Sequence, residues 1–406
     1  MTEKRQISEA LERTSALLSI DDVLTEEERM IRDVVRKFVS REILPGAARH
    51  FEEGTFPVEL ARRIGSELAL FGCTLPSEFG GSEASHTAYG LANMELEYGG
   101  SAWRSLLSVQ SGLVMFPIFE YGTEEQKRRW LPELAAGKAF GCFGLTEPGS
   151  GSDPGSMSTT LKKKGLDWVL CGSKAWITNG SLADIAVVWA RDDEGAVRGV
   201  LVEKGAEGFT ATDEKHKFSL RGAVTSSLSF DRVLIPESNV LPGATGLAAA
   251  LRCLNQARFG IAWGALGSAA FTFREAVCYS LEREQFGAPI ASYQLQQEKL
   301  AWMLTEITKG QLLALRMARL KEAGKLNHAF ISIAKRNNVS IARDCARMAR
   351  EIHGAYGISG EYPVWRHLAD LESVLTYEGT HDIHTLIIGE AITGIPAYRR
   401  EAPGHE

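Results

Sequence analysis

The stretch Gly141-Cys142-Phe143-Gly144-Leu145-Thr146-Glu147-Pro148-Gly149-Ser150-Gly151-Ser152-Asp153-Pro154 divides the chain into two kinds of sequence. Before it the segments are helical in pattern; after it come short β-branched or alternating runs. From Leu145 to Ser158 it is rich in Gly, Ser, Thr, Pro and Asp, the residues of turns. Its backbone amides and hydroxyls could cradle the carbonyls of a heteroaromatic ring, or a phosphate, without strong basic charge. Composition alone equally allows a decorated surface loop.

Toward the N-terminus, Thr25 and Glu28 form a capping box. It predicts a helix with Met30, Ile31, Val34, Val35 and Phe38 on one side. Further helices are expected over residues 56–70, 86–98 and 101–119, and a short one capped by Thr123 and Gln126 ends near Gly137. Toward the C-terminus, residues 167–171, 184–189, 199–202 and 225–230 read as strands of a compact antiparallel domain. After Pro242-Gly243 the helical pattern returns over residues 247–284, 293–323 and 328–353, with a last, broken run. Gly260, Gly264 and Gly267 share one side of the first of these and imply close helix packing. The expected fold is α+β: an N-terminal all-α domain (1–140), a middle β-domain (141–242) and a C-terminal four-helix bundle (243–406).

At 406 residues the chain exceeds one ordinary core. A net charge of −6 argues against a nucleic-acid binder. No apolar run approaches the roughly 20 residues of a membrane span, and the N-terminus has no apolar core of a signal peptide. Six scattered cysteines without a Cys-x-x-Cys pair suit reduced thiols, not a disulfide framework or a zinc site. A cytoplasmic protein without a metal is expected.

The broken run is Thr376-Tyr377-Glu378-Gly379-Thr380-His381-Asp382-Ile383-His384. Gly379 weakens the helix and allows close approach, so Glu378 can sit at a break. Partly desolvated beside Tyr377, its carboxylate could act as a base; an ordinary polar loop is the alternative. Lys174-Ala175-Trp176-Ile177-Thr178-Asn179-Gly180 puts an indole two residues from a hydroxyl in an extended segment. Arg283-Glu284-Gln285-Phe286-Gly287 ends a long helix, either as a solvated cap or as a turn holding a pyrophosphate. Glu351-Ile352-His353-Gly354-Ala355-Tyr356-Gly357 reads as a C-cap. Glu97 and Arg104, seven apart in apolar surroundings, could pair and line a pocket.

Together these pieces resemble the flavin-dependent acyl-CoA dehydrogenases, from about Leu24 to Ile395. The α–β–α order matches, as do four motifs in sequence: residues 143–153, Trp176-Ile177-Thr178, Arg283 with Phe286-Gly287, and the Glu378 segment. Within the family the chain is most similar to the glutaryl-CoA dehydrogenases. The narrower features are Arg104-Ser105 with residues 108–111, residues 142–148, residues 257–264 and residues 377–382.

The resemblance implies FAD between the β-domain and the C-terminal bundle. Phe143, Leu145, Thr146, Gly151 and Ser152 would surround its ring with Trp176, Ile177 and Thr178. Arg283, Phe286, Gln294, Glu351, Gly354 and Ala355 would hold its ADP half, partly across a subunit interface. Thr380, His381 and Asp382 would touch the cofactor too. Ser152, Asn255 and Arg258 would line the thioester channel, with Tyr377 and Gly379 beside Glu378, the catalytic base. Arg104 and Ser105 would bind a distal carboxylate, and Glu97 would contact that end. It also implies glutaryl-CoA as substrate, oxidised and decarboxylated to crotonyl-CoA, as in lysine and tryptophan degradation. The implied partners are an electron-transferring flavoprotein and further copies in a homotetramer. Two departures stand out: Gly354-Ala355-Tyr356-Gly357 where the family has Gly-Gly-Asn-Gly, and Trp103 where a smaller aromatic is usual.

Overall fold

A computed structural model describes residues 2–397, with side chains from residue 5. Met1 and residues 398–406, assigned by sequence to the first and last domains, lie outside the described residues. The chain begins with helices α1 (Thr2–Leu18), α2 (Glu26–Phe38), α3 (Leu44–Glu53), α4 (Val58–Ser66), α5 (His86–Gly99), α6 (Ser101–Ser108), α7 (Phe116–Tyr121) and α8 (Glu124–Ala135). Strands follow: β1 (Gly141–Gly144), β2 (Thr160–Lys164), β3 (Asp167–Thr178), β4 (Ile185–Arg191), β5 (Val197–Glu203), β6 (Phe209–Asp213), β7 (Thr225–Ile235) and β8 (Val240–Thr245). The C-terminal part is helical again, with α9 (Leu247–Glu282), a β9 (Glu284–Gln285) and β10 (Ala288–Pro289) hairpin, α10 (Gln294–Glu322), α11 (His328–Ile352), α12 (Val364–Thr376) and α13 (His381–Thr393). The α–β–α order is therefore as the sequence predicts.

Local chemistry explains the helix starts. Thr25 and Glu28 close a reciprocal capping box at α2, and Thr123 and Gln126 do the same at α8. The buried face of α2 holds only part of its apolar side: Val35 and Phe38 are in the core and Ile31 packs against it. Met30 and Val34 are exposed, while Glu28, Arg32, Val35 and Phe38 turn inward. Two ion pairs tie the helix on that side: Glu28 takes Arg319 of α10, and Arg36 takes Glu95 of α5.

The eight strands form one sheet in the order β6-β7-β3-β2-β4-β5-β8, with β1 on β4. It is not wholly antiparallel. β1 runs parallel to β4, pairing Gly141 with Ile185 through Gly144 with Val188. Such a pair needs a long connection, and the loop after β1 with the β2–β3 hairpin supplies it.

α9 is the longest element, 36 residues. Its glycines let α5 come close. A Cβ on Gly267 would stand 1.9 Å from the Met94 carbonyl oxygen, and one on Gly264 would stand 2.7 Å from Glu97 Oε2 and the Arg104 stem. The bundle has three long helices, and its fourth position is shared by α12 and α13, both packed on α11. The break between those two helices is where Glu378 lies.

Candidate active site

At the end of α12 the backbone turns extended at Tyr377, then left-handed at Glu378 (φ +54°) and Gly379 (φ +97°). Thr380 then caps α13, its Oγ accepting from Ile383 N at 3.2 Å. Gly379 is required here, because a Cβ would stand 3.0 Å from His384 Nε2 and 3.2 Å from Arg258 Nη2. Cations hold three successive carbonyls of this turn. Arg258 Nε donates to Glu378 O at 2.7 Å; Lys335 Nζ donates to Gly379 O at 2.7 Å and also to Tyr377 O. One carboxylate oxygen of Glu378, Oε2, is shut off from solvent without a hydrogen-bond partner. Burial raises the pKa of this carboxyl, against the pull of Arg104, Lys335 and Arg258.

Arg104 and Glu97 form an ion pair at 2.6 Å, and neither side chain is exposed. Ser101 donates to the other Glu97 oxygen, and Arg104 Nη1 donates to Ser108. Arg104 Nη2 is buried with no partner. The guanidinium lies 5.3 Å from the centre of the Tyr377 ring, whose hydroxyl is likewise buried and unpartnered. Among the described residues, Glu378 Oε2 and Arg104 Nη2 are thus oppositely charged atoms left without a hydrogen-bond partner. Asn255 joins the group through Arg258 Nη1, at 3.2 Å. Ser105 is buried next to Arg104 in α6. Trp103 turns elsewhere: it packs on Phe56 at 5.3 Å between ring centres and lines a small cavity with His50, Arg366 and Asp370. The departure at that position therefore does not shape the space around Arg104.

On the sheet, Phe143 and Leu145 are buried, Thr146 is half-buried, and Gly151 and Ser152 are exposed. Lys174 and Glu147 hold this loop as a fully enclosed pair at 2.8 Å. Lys174 Nζ also donates to Leu145 O, and Glu147 accepts from Ser158 and Thr159. That network keeps the Glu147 carboxyl ionised down to about 2. Ala175 N donates to Thr146 O, which ties the loop to β3. A bulge in β3 throws Trp176 outward with φ +62° and 65% of its surface exposed, between buried Ala175 and Ile177, with Thr178 half-buried at the strand end. Gly149 and Gly151 have nothing within 4 Å of where a Cβ would be. An outward indole beside an open glycine loop with free backbone suits a flat heteroaromatic group.

Arg283, Phe286 and Gln294 gather where α9 ends and α10 begins, and Glu351, Gly354 and Ala355 lie at the end of α11. Lys299 of α10 pairs with Glu351 at 3.0 Å and joins the two sets. Phe286 is 97% exposed at φ +53°. Thr380, His381 and Asp382 form the first turn of α13.

The sequence reading missed Lys335, and it quoted His384, Ser108 and Lys174 within motifs without giving them a role. A signal existed for Lys335: it occupies the buried stripe Ile331, Ala334, Asn338, Val339 and Ala342, where a lysine is out of place. His384 Nδ1 lies 3.0 Å from Ser332 Oγ, and burial pushes this imidazole down to about 2, so it is neutral.

Comparison with known proteins agrees over residues 25–393. The N-terminal domain model of acyl-CoA dehydrogenase matches residues 25–138, the middle domain model 142–233 and the C-terminal domain model 244–393. An acyl-CoA dehydrogenase of Bacillus subtilis is 38% identical, covering 91% of this chain and 99% of that protein. The human short-chain specific enzyme is 36% identical (90% of each chain), and a glutaryl-CoA dehydrogenase of Desulfococcus multivorans 35% (91% and 97%). Among solved structures, a Mycobacterium smegmatis glutaryl-CoA dehydrogenase superposes with a TM-score of 0.93 at 53% identity, covering 95% of this chain and 99% of that one. A second from that organism, in complex with FADH2, gives 0.92 at 49% (94% and 98%). A glutaryl-CoA dehydrogenase bound to glutaryl-CoA gives 0.88 at 34% (94% and 99%).

Proposed function

Since the chain belongs to the acyl-CoA dehydrogenase family, and is a flavoenzyme of the glutaryl-CoA dehydrogenase kind, we propose that it oxidises glutaryl-CoA at the α,β bond and releases carbon dioxide to leave crotonyl-CoA. One observation carries the choice of substrate: the buried Nη2 of Arg104, unpartnered among the described residues, on a guanidinium 5.3 Å from the ring of Tyr377, the residue before Glu378. A neutral acyl chain would leave that donor unsatisfied in an apolar site, whereas a distal carboxylate completes it.

FAD is the cofactor, and when bound it would supply the acceptor for the β-hydrogen and its electron pair. Phe143, Leu145, Thr146, Gly151, Ser152, Trp176, Ile177 and Thr178 would hold its ring. Arg283, Phe286, Gln294, Glu351, Gly354 and Ala355 would hold the ADP half, and the start of α13 would touch it. Glu378 takes the α-proton, and its desolvated carboxylate is a stronger base than one in water. Arg258 and the carbonyl ties hold that carboxylate in place, while Asn255, Arg258, Ser152 and Gly379 border the thioester path. After oxidation the distal carboxylate sits on a carbon activated through the double bond by the thioester. Loss of carbon dioxide gives a dienolate, which protonated Glu378 reprotonates.

A second reading is oxidation of another dicarboxylyl- or aryl-CoA, or of glutaryl-CoA without decarboxylation. It draws on Glu97, which already neutralises part of the Arg104 charge. We further propose an electron-transferring flavoprotein as acceptor and a homotetramer as the working form. The exposed Phe286, and apolar α13 with only His384 buried, support the assembly. Six free cysteines suit the cytoplasm.

The test is a panel of acyl-CoA thioesters with product mass analysis, run beside Glu378→Gln. The wild type should convert glutaryl-CoA to crotonyl-CoA. The amide variant should keep FAD and lose at least ~100-fold in flavin reduction, the low end for a positioned base. Preference for butyryl-CoA, or near-normal reduction by the variant, would overturn the reading.

A further inference from the structure

Among the described residues Lys335 is the one that holds two carbonyls of the Glu378 turn, those before and after the glutamate. It comes from the middle of α11 and is 1% exposed. Burying an ammonium is costly and pushes the Lys335 amine down to about 7, with the Glu378 carboxylate pulling the other way, and a neutral donor would suffice to tie a carbonyl. The charge therefore calls for a reason beyond the ties. The groups facing it are the Glu378 carboxylate, which attracts it, and Arg258 of α9 and Arg104 of α6, which repel it. His384 and His381 of α13 feel its charge as well. The Tyr377 ring lies 5.9 Å from its Nζ. Among the described residues no carboxylate bonds to it directly, so its charge acts on Glu378 through space.

We propose that Lys335 is a positioning residue for the base: its ammonium fixes the left-handed turn that aims Glu378 and supplies part of the positive field in which that carboxylate ionises. The inference rests on reading Glu378 as the base. Without Lys335 the turn loses both flanking ties, and Glu378 keeps its proton to higher pH. Arg258 and Arg104 remain, so the field weakens without vanishing.

The experiment uses FAD-loaded protein, mixed anaerobically with saturating glutaryl-CoA, with flavin reduction followed across pH. Lys335→Met removes tie and charge, Lys335→Gln keeps a donor without charge, and Lys335→Arg keeps the charge. Lys335→Met should lower the plateau rate on the order of 100-fold, the effect of about 1 Å of misplacement. Lys335→Gln should recover part of that plateau, yet share with Lys335→Met an ascending limb moved to higher pH. In Lys335→Arg the limb should stay near that of the wild type. FAD content and affinity for a non-reacting thioether analogue should be unchanged throughout.

A Lys335→Gln limb and plateau matching the wild type would overturn the proposal. So would a loss explained wholly by lost FAD. If Lys335→Met does not fold, the Gln and Arg variants decide alone, and coincident limbs refute the charge role. Glu378→Gln, run in parallel, separates the two ideas. If it still reduces the flavin, the base reading fails; if it is inactive while Lys335→Gln behaves as wild type, only the role of Lys335 fails.

Discussion

Arg104→Gln is the most informative single change. In the protein the guanidinium spends Nε on Glu97 and Nη1 on Ser108, leaving Nη2 for a ligand. Losing one side of a desolvated charged pair costs about 2–5 kcal/mol. With two of three nitrogens already engaged, and Glu97 offsetting part of the charge, the lower half of that range applies. About 2–3 kcal/mol is roughly 30- to 150-fold in kcat/KM for glutaryl-CoA. Butyryl-CoA, with no distal carboxylate, should change little.

The same substitution also strands Glu97, which has no exposure and keeps only Ser101. Breaking a buried pair this way costs about 3–5 kcal/mol of stability. The assay therefore pairs steady-state kinetics on both thioesters with thermal melts, and includes the double variant Glu97→Gln/Arg104→Gln. The double variant should regain much of the lost melting temperature and none of the selectivity. If both substrates weaken equally, or the double variant regains the glutaryl-CoA preference, Arg104 serves the fold and the substrate assignment falls.

Two further outcomes are expected. Lys174→Met removes the cation from an enclosed pair and leaves Glu147 uncompensated, so it should cost about 3–5 kcal/mol of stability and loosen FAD, read by melts and flavin release. A Lys174→Met protein with unchanged melting and FAD content would refute that role. Stability should also fall as pH drops below about 6.5, because the folded state keeps His384 near 2 and His86 near 4 while the unfolded chain takes up those protons. The stability these imidazoles contribute is thus present above 6.5 and lost toward acid; the slope of denaturant midpoint against pH should shrink in His384→Asn, and an unchanged slope would exclude His384 as a contributor.

Much of the architecture was legible because local signals and the fold agree. The capping boxes at Thr25 and Thr123 start helices where expected, and Gly260, Gly264 and Gly267 lie where α5 and α6 come closest. The failures have physical causes. β2 carries three lysines in five residues, so its solvent-facing charge hid the strand. Met30 and Val34 look like core in a helical pattern, but α2 buries Glu28, Arg32, Val35 and Phe38, and the long-range pairs made by Glu28 and Arg36 cannot be read from local spacing. Within the site, Glu97 and Arg104 betray themselves as charges in apolar surroundings, though they pair across the α5–α6 break at Gly100 and not along one helix. The bond of Arg258 to Glu378 spans 120 residues and that of Lys335 to Gly379 spans 44, so no local pattern announces either.

The left-handed backbone at Glu378 sets the interests of folding against those of the reaction. Glutamate in that region carries strain of about 1–3 kcal/mol, and its buried carboxyl adds a desolvation cost. Glycine would accept the same φ without strain and leave no charge to bury. The residue that would make this turn most restful is the one that would leave the enzyme without its base. A search for sturdier versions of this protein by stability alone would drift toward inert ones at this position, and the rigid ties around the turn mark where the molecule accepts that tension.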